Sequence, residues 1–130
     1  MSEREVIRSH RDLQVYQRSF RAAMEIFQLT RSFPRDEIFS LTSQIRRSSR
    51  SVNMNLAEAW RKRRYPAAFV AKLSDAESEA AETQTSIEFA LACAYIDEGT
   101  AGRLSDEYEQ LLRMIVSMIN APEKWTIPTR

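Results

Sequence analysis

The chain has 130 residues, 43% of them hydrophobic and 28% charged, with a formal net charge of +1. That length supports one domain with one core, and the near-neutral balance excludes a wholesale polyanion binder while leaving room for local asymmetry. A single cysteine, Cys93, excludes an intramolecular disulfide; no apolar run is long enough for a bilayer and no positive-then-apolar leader opens the chain, so a cytoplasmic protein with no membrane partner is expected.

Few glycines and prolines suit long helices with short corners. Residues 1–11 are polar and aperiodic and read as a frayed tail, with the one histidine, His10, as a surface residue in it. Asp12 is a candidate cap for a first helix, in which Leu13, Tyr16, Phe20, Ala23 and Phe27 recur at steps of three and four as an apolar stripe. "SFPRDE" ends that helix and opens the next, with Pro34 at the entry and Asp36 and Glu37 at its positive end. The second helix runs from about Asp36 to about Trp60 or slightly beyond. Ile38, Leu41, Ile45, Ser48, Val52, Leu56 and Ala59 line its inner side, and Ser48 there implies a close helix approach.

Pro66 restarts the chain after a brief corner. The third helix carries Phe69, Leu73, Ala76, Ala80, Thr83, Ile87, Ala90, Leu91 and Ala94 inward. Cys93, in the apolar run "FALACAYI", reads as a small buried hydrophobe. Asp97 is a plausible cap for the fourth helix, lined by Leu104, Tyr108, Leu111, Ile115 and Met118; Pro122 stops it and "EKWTIPTR" is a tail. Helices two and three are expected to be the long ones. The whole is a single all-α domain over residues 1–130, an antiparallel up-and-down four-helix bundle with its core over about 12–121 and polar tails at both ends.

Charge is one-sided in "IRRSSRSVNMNLAEAWRKRR". Between Gln44 and Tyr65 lie seven basic residues, Arg46, Arg47, Arg50, Arg61, Lys62, Arg63 and Arg64, and one acid, Glu58. With Arg46 at 0° on a helical projection, Arg50 falls near about 40°, Arg61 near about 60° and Arg64 near about 0°, almost opposite the apolar stripe. Asn53 and Ala57 share this row, which holds only if the helix survives to Arg64. Guanidinium forks match phosphates, and Trp60 and Tyr65 offer rings for bases. The alternative is a solvated face. On the third helix Asp75, Glu79 and Glu82 form an acidic row that is either plain surface or a partner for arginines of another helix or subunit.

No catalytic set is visible. The histidine is in a tail, the cysteine in an apolar run, and no glycine-rich phosphate loop occurs. Glu58 beside Asn55 is one carboxylate with an amide and reads as a hydrogen-bond anchor rather than an acid–base pair. The acidic row lacks a histidine, so no metal and no cofactor are expected. Phe33, Phe39, Trp60, Phe89, Met24, Ile26, Met54 and Met114 fall off the simplest core pattern and together suggest a subunit interface.

The stretch "LQVYQRSFRAAMEIFQLTRSFPRDEIFSLTSQIRRSSRSVNMNLAEAWRKR" resembles the four-helix-bundle family encoded within intervening sequences of bacterial 23S ribosomal RNA genes, sometimes labelled S23 ribosomal protein. Leu13, Val15, Tyr16 and Ser19 match its opening. Phe33, Pro34 and Glu37 match its F-P-x-x-E corner. Leu41, Thr42, Ser43, Gln44, Ile45, Arg46 and Arg47 match its helix-two motif, with Ser51, Val52, Asn55, Leu56, Ala57 and Glu58 in register. Phe69, Leu73, Ala76 and Glu82 fit its third helix. The likeness covers about Leu13 to Met118. Ala59 stands where the family usually has glycine, Ser48 and Ser49 replace small alanines, and Glu79 and Gln84 also depart from the pattern. The resemblance implies a homo-oligomer, a pentamer of bundles. It also implies kinship with a branch that assists reverse transcriptases of diversity-generating retroelements and binds nucleic acid through a basic surface. The expected function is therefore a non-catalytic oligomeric RNA- or DNA-binding or accessory protein using the basic face of helix two; the alternative is an adaptor whose arginine row meets a sister subunit or a partner protein.

Overall fold

The computed structural model describes residues 6–127. Four helices set the architecture: α1 Gln14–Thr30, α2 Ser43–Arg61, α3 Pro66–Ala92 and α4 Glu98–Asn120. Each packs on its chain neighbours, and α1 closes the ring against α4. The result is an antiparallel up-and-down bundle, all-α among the described residues. Ile45, Val52, Leu56, Phe69, Leu73, Ile87, Leu104, Tyr108, Leu111 and Ile115 fill its centre.

The entry differs from expectation. Ser9 and Asp12 form a capping box on a 3₁₀ turn, His10–Asp12. Asp12 accepts the Arg8 and Ser9 N–H groups at 2.8 and 3.2 Å, so it caps that turn and not α1, whose N-cap is Leu13. His10 is half-buried with its ring edge-on to Tyr16 at 4.9 Å rather than loose in a tail. Residues 1–5 of the expected frayed tail lie outside the described residues.

The α1 stripe is corrected as well. Val15, Ser19, Ala22, Ala23, Ile26 and Thr30 face the core, whereas Phe20 is exposed and Tyr16 and Phe27 are half-buried. Ser19, Ala22 and Ala23 are small, so this side lets α1 approach its neighbours closely. The Ser19 hydroxyl is satisfied by donating to the Tyr16 carbonyl at 3.0 Å, which removes the cost of burying it. The aromatic side is left along the rim.

Residues 35–61 are helical throughout but not one α-helix. A 3₁₀ turn, Arg35–Glu37, leads into a π turn, Ile38–Thr42, before α2 begins. Glu37 caps the π turn by accepting the Leu41 N–H at 3.4 Å and the Ser40 hydroxyl at 2.5 Å. The wider turn displaces the side-chain register, so Ile38 is exposed while Leu41 stays buried. Beyond it Ile45, Ser48, Val52, Leu56 and Ala59 are all buried. The close approach read from Ser48 is real: its hydroxyl lies 2.8 Å from the Thr83 hydroxyl of α3.

Pro66 is the first residue of α3, whose inner side is the expected one through Ala90. The helix then stops at Ala92, which corrects Leu91, Ala94 and Cys93: all three are exposed. Ala94 is left-handed, with φ of 61°, and the Ala94 and Tyr95 N–H groups return to the Leu91 and Ala90 carbonyls at 2.9 Å. These are the two bonds of a Schellman termination, with alanine where glycine is usual. Asp97 caps α4 by accepting the Thr100 N–H at 2.7 Å. Because α4 runs through both glycines, it has 23 residues against 19 for α2, contrary to the expected order of those two, while α3, with 27, is the longest as expected. After Pro122 the chain folds back as far as Ile127 rather than trailing: Trp125 packs on the core and the Ile127 N–H donates to the Arg63 carbonyl at 2.9 Å; residues 128–130 of the expected tail lie outside the described residues.

The residues assigned off the core divide. Ile26, Phe33 and Trp60 are buried, and Met114 packs partly against the core. Phe39, Phe89, Met24 and Met54 remain exposed, Phe39 almost fully at 95%.

Candidate nucleic-acid interface

The seven bases of the α2 segment do not form one row. The α-helix ends at Arg61, and Lys62, Arg63 and Arg64 lie in the corner before α3. The row that needed helix to Arg64 is therefore split into a group at the start of α2 and a group at its end, with about 16 Å along the axis between Arg50 and Arg61.

In the first group Arg47 and Arg50 are exposed, and only Arg46 is half-buried, where α1 packs beside it. Asn53, placed in the open row by the projection, is buried and donates Nδ2–H to the Tyr16 carbonyl at 3.0 Å. Arg46 donates Nε–H to Thr30 Oγ1 at 2.8 Å, and Thr30 in turn donates to the Phe27 carbonyl at 2.9 Å. The Arg46 and Arg50 guanidinium carbons lie 4.8 and 5.8 Å from the Phe27 ring centre. The ring face attracts both cations and holds them in place along the seam. Arg47 turns toward α3, where it meets Glu79 and Glu82 at 3.3 Å each. The acidic row thus has a partner in its own chain. Burial and the neighbouring Glu82 hold the Glu79 carboxyl above its ordinary pKa.

At the head of the seam these arginines are joined by two that sequence reasoning did not select, Arg31 and Arg35, from either side of the F-P corner. The five surround a cleft of about 790 Å³ together with Thr30, Phe33, Ile38, Thr42, Ser43 and Met54, and among the described residues no carboxylate lines it. The "TRSFPRDE" stretch held the signal: two arginines flank the corner that the helix-two motif folds against.

The second group is more dispersed. Arg61, Lys62 and Arg64 are exposed. Arg63 stacks 3.5 Å from the Trp60 ring centre and donates Nε–H to the Trp60 carbonyl at 2.9 Å. Burial, then Arg61, lowers its pKa. Trp60 is buried, so it is not a free platform for a base; Tyr65 is exposed.

The remaining motif residues build the scaffold. Phe33 packs with Leu41, Ala90 and the Tyr95 ring at 5.2 Å. Pro34 opens the 3₁₀ turn. Glu37 accepts the Tyr95 hydroxyl at 2.7 Å, which ties the corner to the end of α3. Hydrogen bonds from Ser40 and Tyr95 lower the Glu37 pKa, and the same carboxylate pushes the Tyr95 phenol up to about 12. Asn55 donates to the Ser51 carbonyl and hydroxyl within α2, and Glu58 pairs with Lys72 of α3 at 2.7 Å. Gln44 and Glu82 line a shallow α2–α3 groove beside Arg47. Among the described residues no group of three or more His, Cys, Asp or Glu side chains is placed to hold a metal ion, and no helix is long and apolar enough to cross a membrane.

Fold and seam together define a four-helix-bundle protein with an arginine-lined cleft at the α1–α2 junction. The sequence matches the 23S rRNA-intervening sequence protein family over residues 11–117, and the chain belongs to that family. Its structure is similar to the crystal structure of a protein of unknown function from the S23 ribosomal protein family of Bacteroides thetaiotaomicron VPI-5482. The TM-score is 0.74 and the identity 26%, covering 82% of this chain and 95% of that one. No curated protein matches the sequence.

Proposed function

We propose that this protein is a non-catalytic, cytoplasmic nucleic-acid-binding protein that grips a phosphate backbone in the α1–α2 cleft. The observation that carries the reading is the convergence of Arg31, Arg35, Arg46, Arg47 and Arg50 on a cleft lined by no acid. Thr30 and Phe27 hold Arg46 in position, which reduces the ordering cost of meeting a phosphate. Arg47, shared with Glu79 and Glu82, contributes less than the others. Arg61, Lys62 and Arg64 supply a second, exposed basic patch at the far end of α2. Glu58 of the basic segment is engaged by Lys72, and Glu79 and Glu82 of α3 by Arg47, which favours a binding role over a hydrolytic one. Gel-shift titration tests it: RNA or DNA binds at low salt, and affinity falls by orders of magnitude between ~50 and ~200 mM salt. Absence of binding at low salt removes the reading, and magnesium-dependent cleavage lost in Glu58→Gln overturns the non-catalytic part.

The second reading, an adaptor or subunit contact, is favoured by the exposed Phe39 and Phe89, neither of which lines the cleft. The two readings combine in a homo-oligomer, with five subunits as the number the resemblance implies, held by those rings while the cleft stays open. Mass measurement of Phe39→Ser and Phe89→Ser variants tests this part; unchanged assembly in both removes these rings as the contact.

A further inference from the structure

We infer that the α1–α2 seam is built for single-stranded nucleic acid, with phosphates in the arginine cleft and an unstacked base in the apolar groove that continues it. The inference rests on the reading of the cleft just given and adds the strand state of its ligand. The groove, about 390 Å³, shares Arg50 and Met54 with the cleft, so charge and apolar surface form one continuous track. Its walls are Phe20, Met24 and Met54, exposed by 51%, 46% and 66%, an amount of bare apolar side chain that water does not favour.

Asn53 belongs to the same groove. Its Nδ2 donates to the Tyr16 carbonyl, but its buried Oδ1 has no hydrogen-bond partner among the described residues. A buried acceptor without a donor is costly, and it is relieved by a ligand that brings an N–H on an otherwise apolar body. A nucleobase has that form, with two π faces for Phe20 and the thioethers and N–H groups on its edge. Duplex keeps those edges paired and those faces stacked, and so offers the groove phosphates alone. Two helices packed about 8–10 Å apart also leave a seam that one backbone can follow. A second copy of the chain is the competing occupant. The arginines that continue the groove favour a polyanion.

The test uses fluorescence anisotropy at one salt concentration, with labelled oligo(dA) of about 12 nucleotides and the matching dA·dT duplex as probes. The expected result is single-strand binding ~10-fold tighter than duplex, with Phe20→Ala/Met24→Ala, both outside the arginine cleft, losing that preference while retaining duplex binding. Equal affinity for both probes, or an unchanged preference in the double variant and in Phe20→Ser, overturns the inference and leaves the cleft reading intact. Failure of both probes to bind overturns the cleft reading as well. A drop in subunit number in the double variant, with the strand preference unaltered, assigns the groove to a second copy and also overturns it.

Discussion

Arg46 and Thr30 join α2 to α1 through a 2.8 Å hydrogen bond from Nε to Oγ1, at the head of the seam where the basic cleft opens. The bond places a guanidinium beside a ring and a hydroxyl instead of letting it sample solvent. Arg46→Ala removes the bond and the contact with Phe27, and is expected to lower stability by about 1–2 kcal/mol. Urea unfolding measures it, and a variant as stable as the parent shows that the contact is incidental.

The Ser48 and Thr83 hydroxyls meet inside the bundle, 2.8 Å apart between α2 and α3. Thr83 donates its hydroxyl to the Glu79 carbonyl at 2.9 Å and so accepts from Ser48, whose alternative acceptor, the Ile45 carbonyl, lies farther off at 3.4 Å. Ser48→Ala and Thr83→Val should each cost about 1 kcal/mol, and the double variant less than the sum, because losing both partners leaves no hydroxyl stranded. Strict additivity in a double-mutant cycle shows that the pair does not interact.

Ala94 occupies a left-handed position, with φ of 61°, in the termination of α3. An L-residue is disfavoured there by roughly 1–2 kcal/mol, part of which glycine returns through the greater freedom of its unfolded chain. Ala94→Gly should therefore raise the melting temperature by a few degrees. A lower melting temperature contradicts the reading of that corner.

Glu37 and Tyr95 make the corner sensitive at both ends of the pH scale. The Glu37 pKa is lowered in the fold, first by Ser40 and then by Tyr95, so its contribution is present above the ordinary value of 4.5 and is lost as pH falls through the folded one. The Tyr95 pKa is raised from 10.0 to about 12, so its contribution is full below 10.0 and is lost as pH rises through about 12. Tyr95→Phe should flatten the alkaline loss and weaken the acid one. Melting profiles across pH that coincide for parent and variant disprove the coupling.

Where two sides of a helix differ in polarity, the periodicity located the core: Ile45 to Ala59 of α2, Phe69 to Ala90 of α3 and Leu104 to Met118 of α4 are buried as read. In α1 it located Leu13 and Ala23 but misplaced the aromatics, because Val15, Ala22 and Ile26 compete with Tyr16, Phe20 and Phe27. Both sides are apolar, and only contact with α2 and α4 decides between them. The Asp12 cap and the continuous second helix failed for a local reason: a side-chain acceptor, Asp12 or Glu37, stabilised a tighter or wider turn next to the α-helix. The basic segment itself was legible, but its geometry was not. A projection of one helix cannot show that α1 lies over Asn53 and beside Arg46, nor that Arg31 and Arg35 come around the corner to meet them.

The central claim is that the cleft arginines bind phosphates, and the salt dependence of binding measures it most directly. Affinity for one oligonucleotide is determined across a salt series for the parent, for Arg50→Ala and for Arg31→Ala/Arg35→Ala. The account predicts a slope of log K against log salt reduced by ~1 in the single variant and by ~2 in the double, with weaker binding at low salt. Slopes and affinities indistinguishable from those of the parent contradict it.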